Sequence, residues 1–466
     1  MNIIKTLKNS KEHMPDLQIK EVSFGLNKLY IINLQSVSSS ILTNEYIMEY
    51  LSEKSILNKL FFSKQDINNY IPSISFISID EKDVFYYLFN GFSIIIYKDK
   101  IHALETRATL DRGVNEPTSE PTIKGPKDSF NENYNTNIGL IRKRIKTPLL
   151  HLKEFNLGKI TNTKTCIFYI DNLVDKQLLN KIIDKINNLN VDKILDSYDI
   201  KTLISKDKTS LFPTIKSTEK PDTIAKSLTE GKICIMCENS NNILIIPTFF
   251  IDFFHNDEDN FHNKIYAKFI KTIRFIALFI TIFAPSIYLA LITYDEQMLP
   301  MSLLINFSIQ RFSVPFPAII ESFILIITFE LLNESDGLTP STRGTSLSIL
   351  GALVLGDAAV QAGIVSPITV IIIAITAISS LFFTYLDFQS FIRLYRYTLM
   401  IISSIFGFAG IILGFLFILT DLCNIKAFGK PFMIPFSPKL NIKNNIQKIK
   451  NGLMPQNTNK GELWKN

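Results

Sequence analysis

The 466-residue chain is 47% hydrophobic and 20% charged, with 36 Phe, four Cys and a formal net charge of +6. That balance excludes a collagen-like, disulfide-stapled or wholly disordered polypeptide. Charge is unevenly spread: residues 275–420 hold 12 charged side chains and no lysine, whereas the other 320 residues are about one-quarter charged, as in ordinary soluble domains. The expected architecture is an α/β cytosolic N-terminal region of two subdomains followed by an all-α polytopic transmembrane region.

In chain order, residues 1–30 read as a polar tail without the apolar run of a signal peptide, which keeps the soluble region on the cytosolic side. A first α/β subdomain is expected over 31–118. Its clearest signal is a hairpin, Phe92 to Tyr97 and Ile101 to Glu105, around Lys98-Asp99-Lys100. Residues 119–150, richer in Pro, Gly and polar side chains, read as a connecting segment with a short helix at 138–145. A second α/β subdomain follows over 151–264, with a strand from Cys166 to Ile170. Apolar residues at 178, 179, 182, 183 and 186 predict a helix, with Asp175 as its N-cap. Lys232 to Cys237 and Ile243 to Ile246 form a second predicted hairpin, stopped by Pro247.

The transmembrane domain is expected over 265–420, with spans near 275–293, 314–332, 346–365, 367–386 and 397–420. Lys264, Lys268, Lys271 and Arg274 precede the first and hold that end in the cytoplasm. The segment 299–312, with Arg311 inside it, is too short to cross and reads as re-entrant or interfacial. The tail, 421–466, is basic, with eight Lys against Asp421 and Glu462. Charge does not decide its side. Five crossings put Arg393 and Arg396 inside and the tail outside, and an even number reverses both.

The soluble region offers little chemistry. No Gly-rich phosphate loop follows a strand. Cys234 and Cys237 have redox or zinc spacing, but on a strand they point to opposite faces and read as two small buried hydrophobes. The cluster His255, Asp257, Glu258, Asp259 and His262 is explained by a solvated acidic turn as well as by a metal. Arg142, Lys143, Arg144 and Lys146 lack interleaved aromatics, and residues 1–274 carry a net charge of only +4, which argues against nucleic acid. That basic cluster reads as a solvated or interdomain surface. No catalytic set, cofactor or metal site is expected, so the chain does not read as an enzyme.

The membrane region is more informative. Glu321, Glu330 and Asp357 are carboxylates at or near bilayer depth, costly there unless they meet water or a partner. Glu330 is close enough to a span end to reach the interface. On a helix over 346–365, Ser348, Ala352, Gly356, Ala359 and Gly363 form one small-residue stripe that permits close helix packing. Asp357 and Gln361 occupy an adjacent polar face. The helix is therefore either tightly packed and structural, or it lines a water-filled path whose residues would be Val354, Asp357 and Gln361, with Glu321.

Ser119-Glu-Pro-Thr-Ile-Lys-Gly-Pro-Lys-Asp-Ser-Phe130 and Asn137-Ile-Gly-Leu-Ile-Arg-Lys-Arg144 resemble the signature of spore germinant receptor A subunits, the GerA-type spore germination proteins. Thr218-Glu-Lys-Pro-Asp222, Val314-Pro-Phe-Pro-Ala318, Gly351-Ala-Leu-Val-Leu-Gly356 and Ala362-Gly-Ile-Val-Ser-Pro367 are similar to later motifs of that family, in the same order. The resemblance implies a multi-pass protein of the spore inner membrane. It also implies partners, a transporter-like B subunit and a lipoprotein C subunit, and self-oligomerisation into a nutrient-gated ion channel. Asp357 stands where the family usually has Gln. A secondary transporter moving a solute or ion through 314–365 is the alternative, and it would require paired repeats with interrupted helices.

Overall fold

The computed structural model describes residues 2–24, 27–49, 76–98, 100–109, 117, 120, 124–205, 212–338 and 356–434. The chain forms two compact units. Of the described residues, the first takes those within 1–208 and 214–248, and the second those within 209–213 and 249–437.

In the first unit, helix α1 (Asn2–Ser10) precedes strands β1 (Leu17–Phe24) and β2 (Asn27–Leu34). Strand β3 (Phe76–Ile79), helix α2 (Val84–Phe89) and strands β4 (Phe92–Tyr97) and β5 (Lys100–Glu105) follow. They make one antiparallel sheet in the order β1-β2-β4-β5-β3. Alternation explains its two-sided core. Ile94 and Ile96 face Leu7, Leu17 and Leu88, whereas Ile95 and Tyr97 face Leu29, Leu104 and Ile47. Residues 1–30 are therefore not a tail, because they supply a helix and an edge strand. Their alternate apolar positions, Leu17 and Ile19, are diluted by Gln18 and Lys20, which suits an edge strand.

The second half of this unit is built on helix α3 (Tyr134–Arg144), strands β6 (Leu150–Leu157) and β7 (Thr163–Ile170), and helices α4 (Lys176–Asn187) and α5 (Ser197–Ile204). Strand β8 (Lys216–Thr218), helix α6 (Pro221–Thr229) and strands β9 (Ile233–Cys237) and β10 (Ile243–Ile246) complete it. The strand order is β6-β7-β9-β10-β8, again antiparallel throughout. Both sheets thus share one plan: first, second, fourth, fifth, third. In each, a helix precedes the fourth strand and ends on a left-handed glycine, Gly91 at φ +84 and Gly231 at φ +80. A Cβ there would meet the carbonyl oxygens of Val37 at 2.8 Å and Leu173 at 2.6 Å, so both positions demand glycine.

Helix α3 is no mere connection. Its Ile138 and Ile141 share a core with Phe168, Met236, Ile243 and Leu228. The expected Asp175 cap is present, its carboxylate accepting from the backbone N–H groups of Gln177 and Leu178. Cys234 lies in that core and Cys237 outside it, both buried, and burial pushes the Cys237 thiol up to about 12.

Among the described residues of the second unit two helices are long and apolar enough to cross a membrane, α7 (Lys264–Thr293) and the last described helix, α11 (Leu386–Asn424). Between them lie α8 (Met301–Arg311), α9 (Ala318–Leu338), a short helix at 356–361 and α10 (Pro367–Ser380). A two-stranded β11 (Lys426–Ala427) and β12 (Lys430–Pro431) close the described chain. Several expected spans change shape. The one at 367–386 is a 14-residue helix, too short to cross alone. The one at 397–420 extends to 39 residues and is interrupted at Gly407.

Candidate functional site

Pro315 and Pro317 delay the start of α9 to Ala318, which puts Glu321 in its first turn. The Glu321 side chain has no solvent exposure. Its Oε1 accepts from the backbone N–H of Ser366, and its Oε2 lies 3.8 Å from Nε of Arg311. Ser366 is the N-cap of α10 and Pro367 its first residue, so a carboxylate from another helix occupies the positive end of α10. The polar chain continues. Ser366 Oγ is 2.8 Å from Thr369 Oγ1, and Thr369 Oγ1 is 2.6 Å from the Tyr288 hydroxyl on α7. Three helices are thereby joined through Glu321, Ser366, Thr369 and Tyr288. The hydroxyls of Ser286 and Ser322 are buried as well and have no hydrogen-bond partner among the described residues, which costs about 1–3 kcal/mol each.

Glu330 forms a double ion pair, with Arg393 at 3.1 Å and with Arg396, whose side chain is only 1% exposed. The guanidinium of Arg396 also lies 5.4 Å from the Tyr397 ring centre. Sequence reasoning took these arginines as markers of topology. The signal that could have found the pair is the rule that charges at membrane depth need a partner, applied to Glu330 and Arg396 together. Asp295, past the end of α7, accepts at Oδ2 from the Phe408 backbone N–H at 2.9 Å, where α11 is interrupted.

The expected helix over 346–365 is only partly in view. Ser348, Ala352 and Val354 lie outside the described residues. Gly356, Asp357, Ala359 and Gln361 are on the helix 356–361, and Gly356 has open space where a Cβ would stand. Asp357 and Gln361 are exposed and bonded to each other, Gln361 Nε2 donating to Asp357 Oδ2 at 2.8 Å. Gly363 does not continue the stripe, because it ends the helix. At φ +67 its N–H meets Val360 O, and the Ile364 N–H meets Ala359 O, the paired bonds of a glycine C-cap. The helix must stop there for Ser366-Pro367 to start the next.

In the first unit the basic cluster separates by residue. Arg142 is fully buried and forms a bidentate pair with Asp16, at 2.6 and 2.7 Å, and Ser36 Oγ donates to the same carboxylate. Arg144 does likewise with Asp128. Lys146 donates to Asn90 at 2.6 Å. The interdomain reading holds for Arg142 and Lys146, which tie α3 and its following loop to the first sheet. Among the described residues no group of three or more His, Cys, Asp or Glu is placed to hold a metal ion. The acidic turn after His255 is used otherwise, because Asp259 forms a bidentate pair with Arg274.

Spore germination protein KA of Bacillus subtilis (strain 168) is 37% identical over 340 residues, 73% of this chain and 62% of that protein, so the chain spans under two-thirds of that relative. Spore germination protein GerQA of Bacillus cereus is 31% identical over 94% of this chain and 87% of its own length. Spore germination protein B1 of Bacillus subtilis (strain 168) is 29% identical over 96% and 94%. Among solved structures, the N-terminal domain of the A subunit of the Bacillus megaterium spore germinant receptor GerK3 is similar at 22% identity and a TM-score of 0.40, covering 53% of this chain and 94% of that one. Two of the described helices are long and apolar enough to cross a bilayer, which together with these spore germination relatives points to a membrane protein. The family model described as Bacillus/Clostridium GerA spore germination protein matches residues 5–458, and the chain belongs to that family.

Proposed function

We propose that this chain is the A subunit of a nutrient-sensing germinant receptor and acts in the spore inner membrane with its N-terminal region in the cytoplasm. Copies of it assemble into a nutrient-gated cation channel, working with a B subunit that resembles a transporter and a lipoprotein C subunit. One observation carries the channel reading. Asp357 and Gln361 are exposed on the single chain, at the end of a helix that stops five residues before Ser366, whose N–H is held inside the bundle by Glu321. A carboxylate facing lipid at mid-membrane costs about 2.5–3.5 kcal/mol on insertion scales, so the pair is expected against water in an assembly of several copies. The small residues beside it let such helices approach.

The protein would be reconstituted with its partner subunits and ion flux recorded on addition of nutrient. The expected result is a nutrient-evoked cation conductance whose cation-over-anion preference falls in Asp357→Asn. Absence of conductance in the complete complex, or unchanged selectivity in that variant, would overturn the reading. The interrupted helices at Ser366 and Gly407 favour one competitor, a secondary transporter. There, however, the helix starts are already occupied by this chain's own Glu321 and Asp295. Saturable solute uptake without conductance would favour the transporter.

A further inference from the structure

We propose that residues 386–424 form a closed helical hairpin turned at Gly407, so that the chain leaves the membrane on the side from which α7 enters it. An unbroken 39-residue helix would be about 58 Å long, nearly twice the hydrocarbon thickness of a bilayer. It would also hold Tyr395 and Asp421 about 39 Å apart. Instead the Tyr395 hydroxyl donates to the Asp421 carboxylate. A Cβ on Gly414 would fall 2.3 Å from Leu399 Cδ2, and one on Gly410 2.7 Å from the Ile402 carbonyl oxygen. The two arms, 386–406 and 408–424, therefore lie side by side and antiparallel.

The turn is specific to glycine. Gly407 has φ 56 and ψ −142, a conformation that side chains do not tolerate. A Cβ there would stand 2.7 Å from Asp295 Oδ2 and 3.0 Å from Tyr294 Cβ. Asp295, just past the end of α7, accepts the Phe408 N–H and so marks the turn as lying at the far end of α7. At the near end, Ile418, Leu422 and Ile425 share a core with Phe388, Phe254 and Leu278, and the Phe250 N–H donates to Phe432 O at 3.1 Å. Charge agrees. Lys264, Lys268, Lys271 and Arg274 flank the near end, as do Lys426 and Lys430, and Asp295 and Glu296 mark the far end. The hairpin thus removes the conflict between the arginine pair and the basic tail, because both then lie toward one side.

A native probe exists, since Cys423 is exposed and the other three cysteines are buried. The full-length protein in sealed vesicles would be treated with a membrane-impermeant maleimide from each face. The expected result is that Cys423, and Lys426→Cys in a Cys423→Ser background, react from the face that labels Lys264→Cys. Gln297→Cys reacts from the opposite face. Labelling of position 426 from the same face as position 297 would overturn the proposal. A second measurement tests the fold directly. Tyr395→Cys and Asp421→Cys should be joined in high yield by a short bis-maleimide, and Gly407→Val should lower that yield at least fivefold. Failure of the pair to join, while each cysteine reacts singly, would show a straight helix and overturn the hairpin.

Discussion

In the first unit, several of the described helix starts are capped from next door. Asp175 accepts from Gln177 and Leu178, Asn133 from Thr136, and Asp196 from Ser197. In the membrane unit the two interrupted helices are capped from afar. Glu321 reaches the Ser366 N–H across 45 positions of sequence, and Asp295 reaches Phe408 across 113. Solvent explains the difference. A helix end in water has water in reserve, so a short local side chain adds only a modest gain. A helix end packed inside the bundle has no such reserve, and an unpaired N–H there costs several kcal/mol. The chain must bring a strong acceptor, and in doing so it fastens one helix to another. A cap in the membrane unit is therefore also a tertiary bond.

The largest expected effect follows from removing such a bond. Glu321→Leu strips the Ser366 N–H of its acceptor and leaves Arg311 without its buried counter-charge, a change of the kind that costs about 3–5 kcal/mol. Spores carrying this variant should fail to germinate on nutrient while the protein remains in the membrane. Glu321→Gln keeps an acceptor for Ser366 and should retain partial response. Normal germination of Glu321→Leu would mean that the remote cap is dispensable, and the contrast between the units would collapse.

The first unit has a remote bond of comparable weight, which sharpens the contrast. Asp16 and Arg142 are 126 positions apart, buried, and fastened to Ser36 and over the Phe89 ring. Arg142→Leu leaves the Asp16 carboxylate buried without its cation and should destabilise the first unit by about 3–5 kcal/mol. Hydrogen exchange on the full-length protein should show α3 and the 11–17 segment losing protection together. An effect confined to α3 would mean that the pair does not hold the two sheets to each other.

Both remote devices escaped the sequence for one reason. Short apolar runs on either side of a polar turn announce the hairpins of β4 with β5 and β9 with β10, and an aspartate before an apolar stripe announces the α4 cap, because each signal is local. Nothing local pairs Asp16 with Arg142, or Glu330 with Arg396. Gly407 was hidden more completely. In an apolar run a glycine reads equally as a packing surface or a reversal, and only Asp295, far upstream, decides between them. The shared strand order of the two sheets was also illegible, because topology is kept by the sequence of turns. The two glycines before β4 and β9 are its only visible trace.

A local cap should matter least among the structural changes. Asp175→Ala removes the acceptor for two backbone N–H groups that water can still reach, and should cost about 1 kcal/mol. Thermal melts of the full-length protein should show a small shift with germination intact. A loss as large as that of Glu321→Leu would show that proximity in sequence is not what separates the two kinds of cap.

The smallest effect is a dependence on pH in the first unit, where His151 stacks on His13 at 4.3 Å between ring centres. Burial holds the His151 imidazole below its ordinary value, and the charge of a protonated His13 adds to that. The Asp171 carboxylate nearby is held below its ordinary value by the Lys176 ammonium bonded to it. For both groups the unfolded chain takes up protons before the folded one does, so stability is fully present at neutral pH and falls on acidification. The histidine contribution should fade first, below about pH 6.5, and the carboxylate contribution only below the ordinary aspartate range of about 3.9. His151→Phe keeps a ring against His13 and Tyr169 and removes the titration. Melts of the full-length protein between pH 7.5 and 5 should therefore fall more gently in this variant than in the parent, and parallel curves would show that the stacked pair does not sense protons.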